Sequence, residues 1–140
     1  MNTLYQAEVT ANGGREGHVT SPDGVINMDV RMPEGLGGKG GAYTNPEQLF
    51  AAGYSACFDG ALNLVARMRK IRLKGSETTA KVAIGKLADD SLGLAVELQV
   101  KVPGVEPDVA RELLQEAHQV CPYSKATRGN IEVRLHLLEA

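Results

Sequence analysis

The amino-acid sequence predicts an α+β fold: a mostly antiparallel sheet with two main helices on one face. Three observations carry this. Several stretches alternate apolar and polar residues, most cleanly Leu92 to Val102. Two stretches, Thr44 to Lys70 and Glu106 to Val120, place their apolar residues at helical spacing. The resulting order, βββ-α-ββ-α-β, separates the helices by runs of strands, which suits an antiparallel sheet with its helices segregated to one side.

Taken in order, Thr3 to Thr10 alternates, with Tyr5, Ala7 and Val9 on one face, and reads as a half-buried strand. Asn12-Gly13-Gly14 is a turn, Arg15 to Thr20 a short strand, Ser21-Pro22-Asp23-Gly24 a second turn. Val25 to Met32 then alternates with Ile26, Met28, Val30 and Met32 together. The glycine-rich run Pro33 to Tyr43 is a connector or a loop lining a site. In the stretch that follows, Asn45 is a good helix cap, Pro46 suits the first helical position, and Gln48 completes a capping-box spacing. This helix is expected to be largely buried. Its middle holds Ala51, Ala52, Gly53, Ser55, Ala56, Gly60 and Ala61, and each glycine costs about 1 kcal/mol of helix stability relative to alanine. Something is therefore expected to approach it closely. Glu77 to Leu87 and Leu92 to Val102 are paired strands around an Asp89-Asp90 turn. The second helix carries Ala110, Leu113, Leu114, Ala117 and Cys121 on one face, is expected to end at Pro122, and leads by a short loop to a last strand, Ile131 to Leu137.

The 140 residues suit one domain, 1–140. With 15 Lys+Arg against 17 Asp+Glu and no basic run, no electrostatic footprint for nucleic acid or an acidic membrane is present. The N-terminus has no charged start followed by an apolar run, and no stretch approaches 18 consecutive apolar residues, so neither a signal peptide nor a membrane span is expected. The expected location is the cytoplasm, where two cysteines serve chemistry or sit inert rather than staple the fold.

Cys57 and Cys121 each fall on the buried face of a helix, so they can meet where those faces pack. Taken singly, each could equally be an inert small hydrophobe. A reactive pair needs a cation to stabilise thiolate, and Arg15, Arg67, Arg69, Arg72 and Arg128 are the candidates. Cys121-Pro122-Tyr123-Ser124 has the spacing of a glutaredoxin-type redox motif, but that motif works at the start of a helix, and Cys121 is expected at the end of one. His18, His118 and His136 have no zinc-ligand spacing with the cysteines and read as surface or strand residues, so no metal is expected.

Three blocks carry a family resemblance: Gly13 to Gly17 (GGREG), Thr44 to Phe58 (TNPEQLFAAGYSACF), and Val120 to Ser124 with Ala126 to Ile131 (VCPYS, ATRGNI). In these the chain closely resembles the organic hydroperoxide resistance proteins, the peroxidase branch of the OsmC-like family. The resemblance implies an intertwined homodimer with two sheets around central helices and sites at the interface. It implies Cys57 as the peroxidatic thiolate, Cys121 as the resolving cysteine, Arg15 as the cation beside the thiolate and Glu47 as the carboxylate holding Arg15. It also implies no bound cofactor and resetting by an external dithiol, a lipoylated protein. Phe50, Tyr54, Phe58 and Met28 are candidates to line an apolar approach to Cys57. Glu47 and Cys57 lie ten residues apart on one helix, about 15 Å along its axis, so a Glu47 that serves a thiolate through an arginine is expected to serve the partner chain's Cys57. Two other classes remain open: a non-catalytic binding protein for apolar ligands, and a general thiol-disulfide oxidoreductase.

Overall fold

The computed structural model describes residues 1–139, which divide into two compact units, residues 1–49 and 50–139. The α+β class holds, with two three-stranded sheets in place of one.

In the first unit, β1 (Thr10–Asn12), β2 (His18–Thr20) and β3 (Asn27–Asp29) form an antiparallel sheet in that order. β2 and β3 are shorter than expected, and β1 is displaced, sharing only Thr10 with the expected strand Thr3 to Thr10 and taking in Asn12, which was expected in a turn. Residues 1–9 form no strand within the chain, and Leu4 and Tyr5 are 93% and 83% exposed. An alternating run needs a neighbour to pair with, and this one has none in its own chain. Between β1 and β2 the backbone tightens into a 3₁₀ turn, Gly14–Glu16, entered through Gly13 at φ 78°, a left-handed conformation that glycine adopts without penalty. This turn carries Arg15. The side-chain alternation of the third run is as expected, with Val30 buried and Met28 half-buried. Val30 also bridges to Thr44, which closes the glycine-rich segment into a loop. At its end Asn45 caps the next helix, its Oδ1 accepting from the Gln48 N–H at 2.8 Å.

That helix, α1, runs from Pro46 to Met68. Its side chains in the second unit are buried along one ridge only, Tyr54, Phe58, Ala61, Leu62, Val65 and Ala66. The expectation of a largely buried helix is thus half met, because Ala52, Ala56 and Gly60 form an exposed row of small residues one turn apart. By length and composition alone α1 is long and apolar enough to cross a membrane. Its apolar ridge instead belongs to the core, and Asp59 in mid-helix accepts hydrogen bonds from Ser76 and Thr78 at 2.8 and 2.9 Å.

β4 (Glu77–Lys86) and β5 (Leu92–Lys101) pair antiparallel with Val82 opposite Val96 and Ala80 opposite Leu98. β6 (Glu132–Leu137) pairs with β5 in parallel. Only this pair departs from the antiparallel pattern, because the chain returns to the sheet through helices rather than a hairpin. α2 (Pro107–Val120) packs Ala110, Leu113, Leu114 and Ala117 against the same core as Leu98, Val100 and Leu62. One element was not expected. Pro122 does not end a helix and open a loop; it starts α3 (Pro122–Thr127), because proline is pre-shaped for the first helical position.

Candidate functional site

Cys57 sits in the middle of α1 and Cys121 at the joint between α2 and α3, where it ends one helix and caps the next. Their sulfurs are 3.2 Å apart, with the Cys121 thiol directed at Cys57 Sγ, and both are free thiols. Cys121 is fully buried, whereas Cys57 is partly open to solvent. The two sulfurs are thus distinguished by access. Only Cys57 can meet a molecule from outside, and Cys121 can meet only Cys57.

Burial pushes the Cys57 thiol above its ordinary pKa, and the neighbouring Cys121 thiol adds to the rise. A hydrogen bond from the Tyr123 backbone N–H acts in the opposite direction. A thiolate here needs a cation to offset the burial.

The close approach expected at the small-residue helix is supplied by Tyr123. A side chain at Gly53 would meet the Tyr123 hydroxyl at 2.8 Å, closer than atoms can pack. The Tyr123 ring stands against Phe50 and Tyr54 with centroids 6.1 and 5.7 Å away. Phe50, Leu94, Tyr123, Ala126, Thr127, Asn130 and Ile131 line a largely apolar cavity of about 300 Å³.

The expected approach residues divide. Phe50 lines this cavity, whose lining does not include Cys57. Tyr54 and Phe58 do not line an approach in this chain, since both are fully buried in the core, where Tyr54 Oη is bound to Ser124 Oγ at 2.8 Å and Thr127 Oγ1 at 3.1 Å. Met28 belongs to the first unit, beside a cavity bordered by Asp29, Tyr43 and Gln48.

Also in the first unit, Arg15 and Glu47 form a two-pronged ion pair, Nη1 to Oε2 at 2.9 Å and Nη2 to Oε1 at 2.7 Å. The pair is mostly shielded, with side chains 32% and 11% exposed. Hydrogen bonding to Glu47 raises the Arg15 pKa, and hydrogen bonding to Arg15 holds the Glu47 carboxyl below the usual carboxylate range. The planar fork of arginine suits this geometry and leaves one edge of the guanidinium for a second acceptor. Two other candidate cations are otherwise engaged: Arg69 pairs with Glu112 and Glu116, and Arg128 donates to the His118 carbonyl at 2.8 Å.

His118 is not a plain surface residue. Its Nδ1 lies 2.8 Å from Ser124 Oγ, and burial, with Arg128 nearby, lowers its pKa. Pro122 at a helix start was the available sequence signal for this joint; the hydroxyl cluster around Ser124 had none. Among the described residues, no group of three or more His, Cys, Asp or Glu side chains is placed to hold a metal.

A buried thiol in contact with a half-open one, carried on helices over a sheet, defines a dithiol site on an α+β scaffold. Comparison with known proteins then gives the family. The pattern of the OsmC-like proteins matches residues 38–136, and the chain belongs to that family. It is 50% identical over 135 residues to the organic hydroperoxide resistance protein of Xanthomonas axonopodis pv. citri, covering 96% of this chain and 94% of that protein. It is 51% identical over 138 residues to organic hydroperoxide resistance protein OhrA of Bacillus subtilis, covering 97% of each. A crystal structure of an organic hydroperoxide resistance protein from Elizabethkingia anophelis superposes with a TM-score of 0.94 at 55% identity over the full length of both chains.

Proposed function

We propose that this protein serves organic hydroperoxide resistance as a thiol peroxidase, with residues 1–140 acting as one domain, and that it reduces organic hydroperoxides to alcohols. The observation that carries this reading is the 3.2 Å sulfur pair with one open and one buried member. The Cys57 thiolate attacks the outer peroxide oxygen, the O–O bond breaks, and the alkoxide leaves with a proton as the alcohol, while Cys57 becomes a sulfenic acid. The Cys121 sulfur then attacks Cys57, an S–S bond forms, and the sulfenic oxygen departs as water with the Cys121 proton. An external dithiol reduces the disulfide, and a lipoylated protein is the proposed donor. No bound cofactor is required.

Arg15, held by Glu47, supplies the positive charge that the raised Cys57 thiol needs. About 15 Å of helix separates Glu47 from Cys57 in sequence terms, which favours a homodimer in which the pair of one chain serves the sulfur of the other. The exposed row Ala52, Ala56, Gly60 and the unpaired residues 1–9 support self-association. The cavity beside Phe50 and Tyr123 favours apolar substrates: at about 0.8 kcal/mol per buried CH₂, a few methylenes give roughly a hundredfold preference over hydrogen peroxide. A cytoplasmic location fits the reducing supply the cycle needs.

The second reading, a general thiol-disulfide oxidoreductase, gains from Cys121 capping α3 within the CPYS stretch. It loses because the cysteine of that stretch, Cys121, is fully buried, and the sulfur open to an outside partner is Cys57, in the middle of a helix rather than at its start. One assay separates them. With dihydrolipoamide as reductant, the protein is expected to consume cumene hydroperoxide far faster than either hydrogen peroxide or a disulfide-bonded peptide. Comparable rates on all three would refute the peroxidase reading.

A further inference from the structure

The joint that holds Cys121 is tied by side chains that take no part in the chemistry above. His118 lies three residues before Cys121 and Ser124 three residues after it, and the hydrogen bond between them closes over the cysteine. Ser124 Oγ also meets Tyr54 Oη at 2.8 Å, and Tyr54 lies one turn before Cys57 on α1. Tyr54 Oη in turn meets Thr127 Oγ1 at 3.1 Å, and Thr127 Oγ1 donates to the Ser124 carbonyl at 3.2 Å. One buried cluster therefore joins the turn before Cys57 to the turns on both sides of Cys121.

Counting protons gives the cluster a direction. Its four contacts need four protons, and the three hydroxyls supply three. A hydrogen on His118 Nδ1 completes the set: His118 donates to Ser124, Ser124 to Tyr54, Tyr54 to Thr127, and Thr127 to the Ser124 carbonyl. With the hydrogen on Nε2 instead, Ser124 must donate to His118 and Tyr54 to Ser124. The Tyr54–Thr127 contact is then left without a proton, unless Thr127 abandons the carbonyl. Buried hydroxyls left unpaired are costly, so the first arrangement is favoured. Arg128, donating to the His118 carbonyl, fixes the same turn of α2 from its other side.

We propose that His118, as its Nδ1–H form, together with Ser124 and Tyr54, positions Cys121 against Cys57 and so sets how readily the two sulfurs join. A disulfide bond is about 2.05 Å long, so the sulfurs close by roughly 1.2 Å from their 3.2 Å contact. A braced joint keeps that closure short and repeatable. The residues act through Cys121 rather than on the substrate, and the inference rests on the proposed Cys57–Cys121 disulfide.

The test reads the sulfur pair without any peroxide. Wild type, Ser124→Ala, His118→Leu and His118→Asn are equilibrated in dithiothreitol redox buffers, quenched with a thiol reagent, and the disulfide fraction is read by intact mass. Ser124→Ala and His118→Leu are expected to lower the disulfide equilibrium constant about tenfold, equivalent to a potential about 30 mV less negative. His118→Asn places an amide N–H where Nδ1–H was, and is expected to stay within about twofold of wild type. If Ser124→Ala does not fold, Tyr54→Phe takes its place with the same expected shift. A wild-type potential in Ser124→Ala or His118→Leu overturns the proposal, as does a His118→Asn protein no better than His118→Leu. Wild-type protein that follows this pattern but consumes no organic hydroperoxide would overturn the peroxidase reading and leave the brace standing.

Discussion

The two units of the chain differ in what they finish for themselves. Residues 50–139 hold long strands, a continuous apolar core from Tyr54 to Cys121, and a sulfur pair already in contact. Residues 1–49 hold three-residue strands, few buried side chains beyond Val30, Ser21 and Thr44, and a complete ion pair. The second unit carries the two thiols, and the first carries an arginine matched by a two-pronged carboxylate. The larger apolar core and the Arg15–Glu47 pair thus lie in different parts of the sequence.

Stability should show the contrast most strongly. Leu98→Ala, which removes a fully buried side chain from the core that α1 and α2 share, is expected to cost about 2–5 kcal/mol in denaturant unfolding. Tyr5→Ala, measured at dilutions that keep the chains apart, is expected to change stability by no more than about 0.5 kcal/mol. Equal costs would show that residues 1–9 are packed within their own chain and would dissolve the contrast.

Activity should depend on the fork of the ion pair as well as its charge. Arg15→Lys keeps a cation but cannot hold both Glu47 oxygens, and about a tenfold loss of kcat/KM for an organic hydroperoxide is expected, with unfolding nearly unchanged. Wild-type kcat/KM in that variant would reduce the pair to a structural contact. Mixing inactive Cys57→Ser with weakened Glu47→Ala chains probes whether one chain's pair serves the other's sulfur. Random exchange makes half the dimers mixed, each with one intact site of two, so roughly a quarter of wild-type activity should return. No recovery after confirmed exchange would place both parts of a site in one chain.

The smallest effects separate the units by pH. Glu47 has a folded pKa below its ordinary value, so its contribution to stability is present above the ordinary carboxylate range and lost as pH falls through the lower folded value. Cys57 has a raised folded pKa, so its contribution in the reduced protein is present below the ordinary thiol range and lost as pH rises through the higher folded value. Glu47→Gln should therefore differ least from wild type in acid, whereas wild type should lose stability relative to Cys57→Ser as pH rises, because only wild type then has to bury a thiolate. The reverse pattern in unfolding titrations would contradict the assigned causes.

Legibility in the sequence follows the same division. β4, β5, α1 and α2 were readable to within a residue or two because long periodic runs with capping residues at their ends leave few alternatives. β2 and β3 are shorter than expected and β1 lies beyond its expected run, because alternation reports a face to be buried, while strand position and length depend on a partner that local sequence does not name. α3 was missed because Pro122 was read as a stop rather than a start. Of the candidate site, the meeting of Cys57 and Cys121 followed from two apolar helix faces, and the Arg15–Glu47 pair came only from resemblance, since nothing local links residues 32 apart. Tyr54 and Phe58 lie in the core of this chain rather than along an approach, a distinction that helical spacing, which cannot tell a core ridge from a pocket wall, does not carry.

The central claim, that Cys57 takes the oxygen and Cys121 closes the disulfide, is tested most directly by intact mass after one equivalent of cumene hydroperoxide. Reduced wild type should lose two mass units and its free thiols. Cys121→Ser should consume about one equivalent and gain one oxygen as a sulfenic acid that dimedone traps, and Cys57→Ser should remain unchanged. Oxidation of Cys57→Ser, or a Cys121→Ser protein inert in that single turnover, would contradict the account.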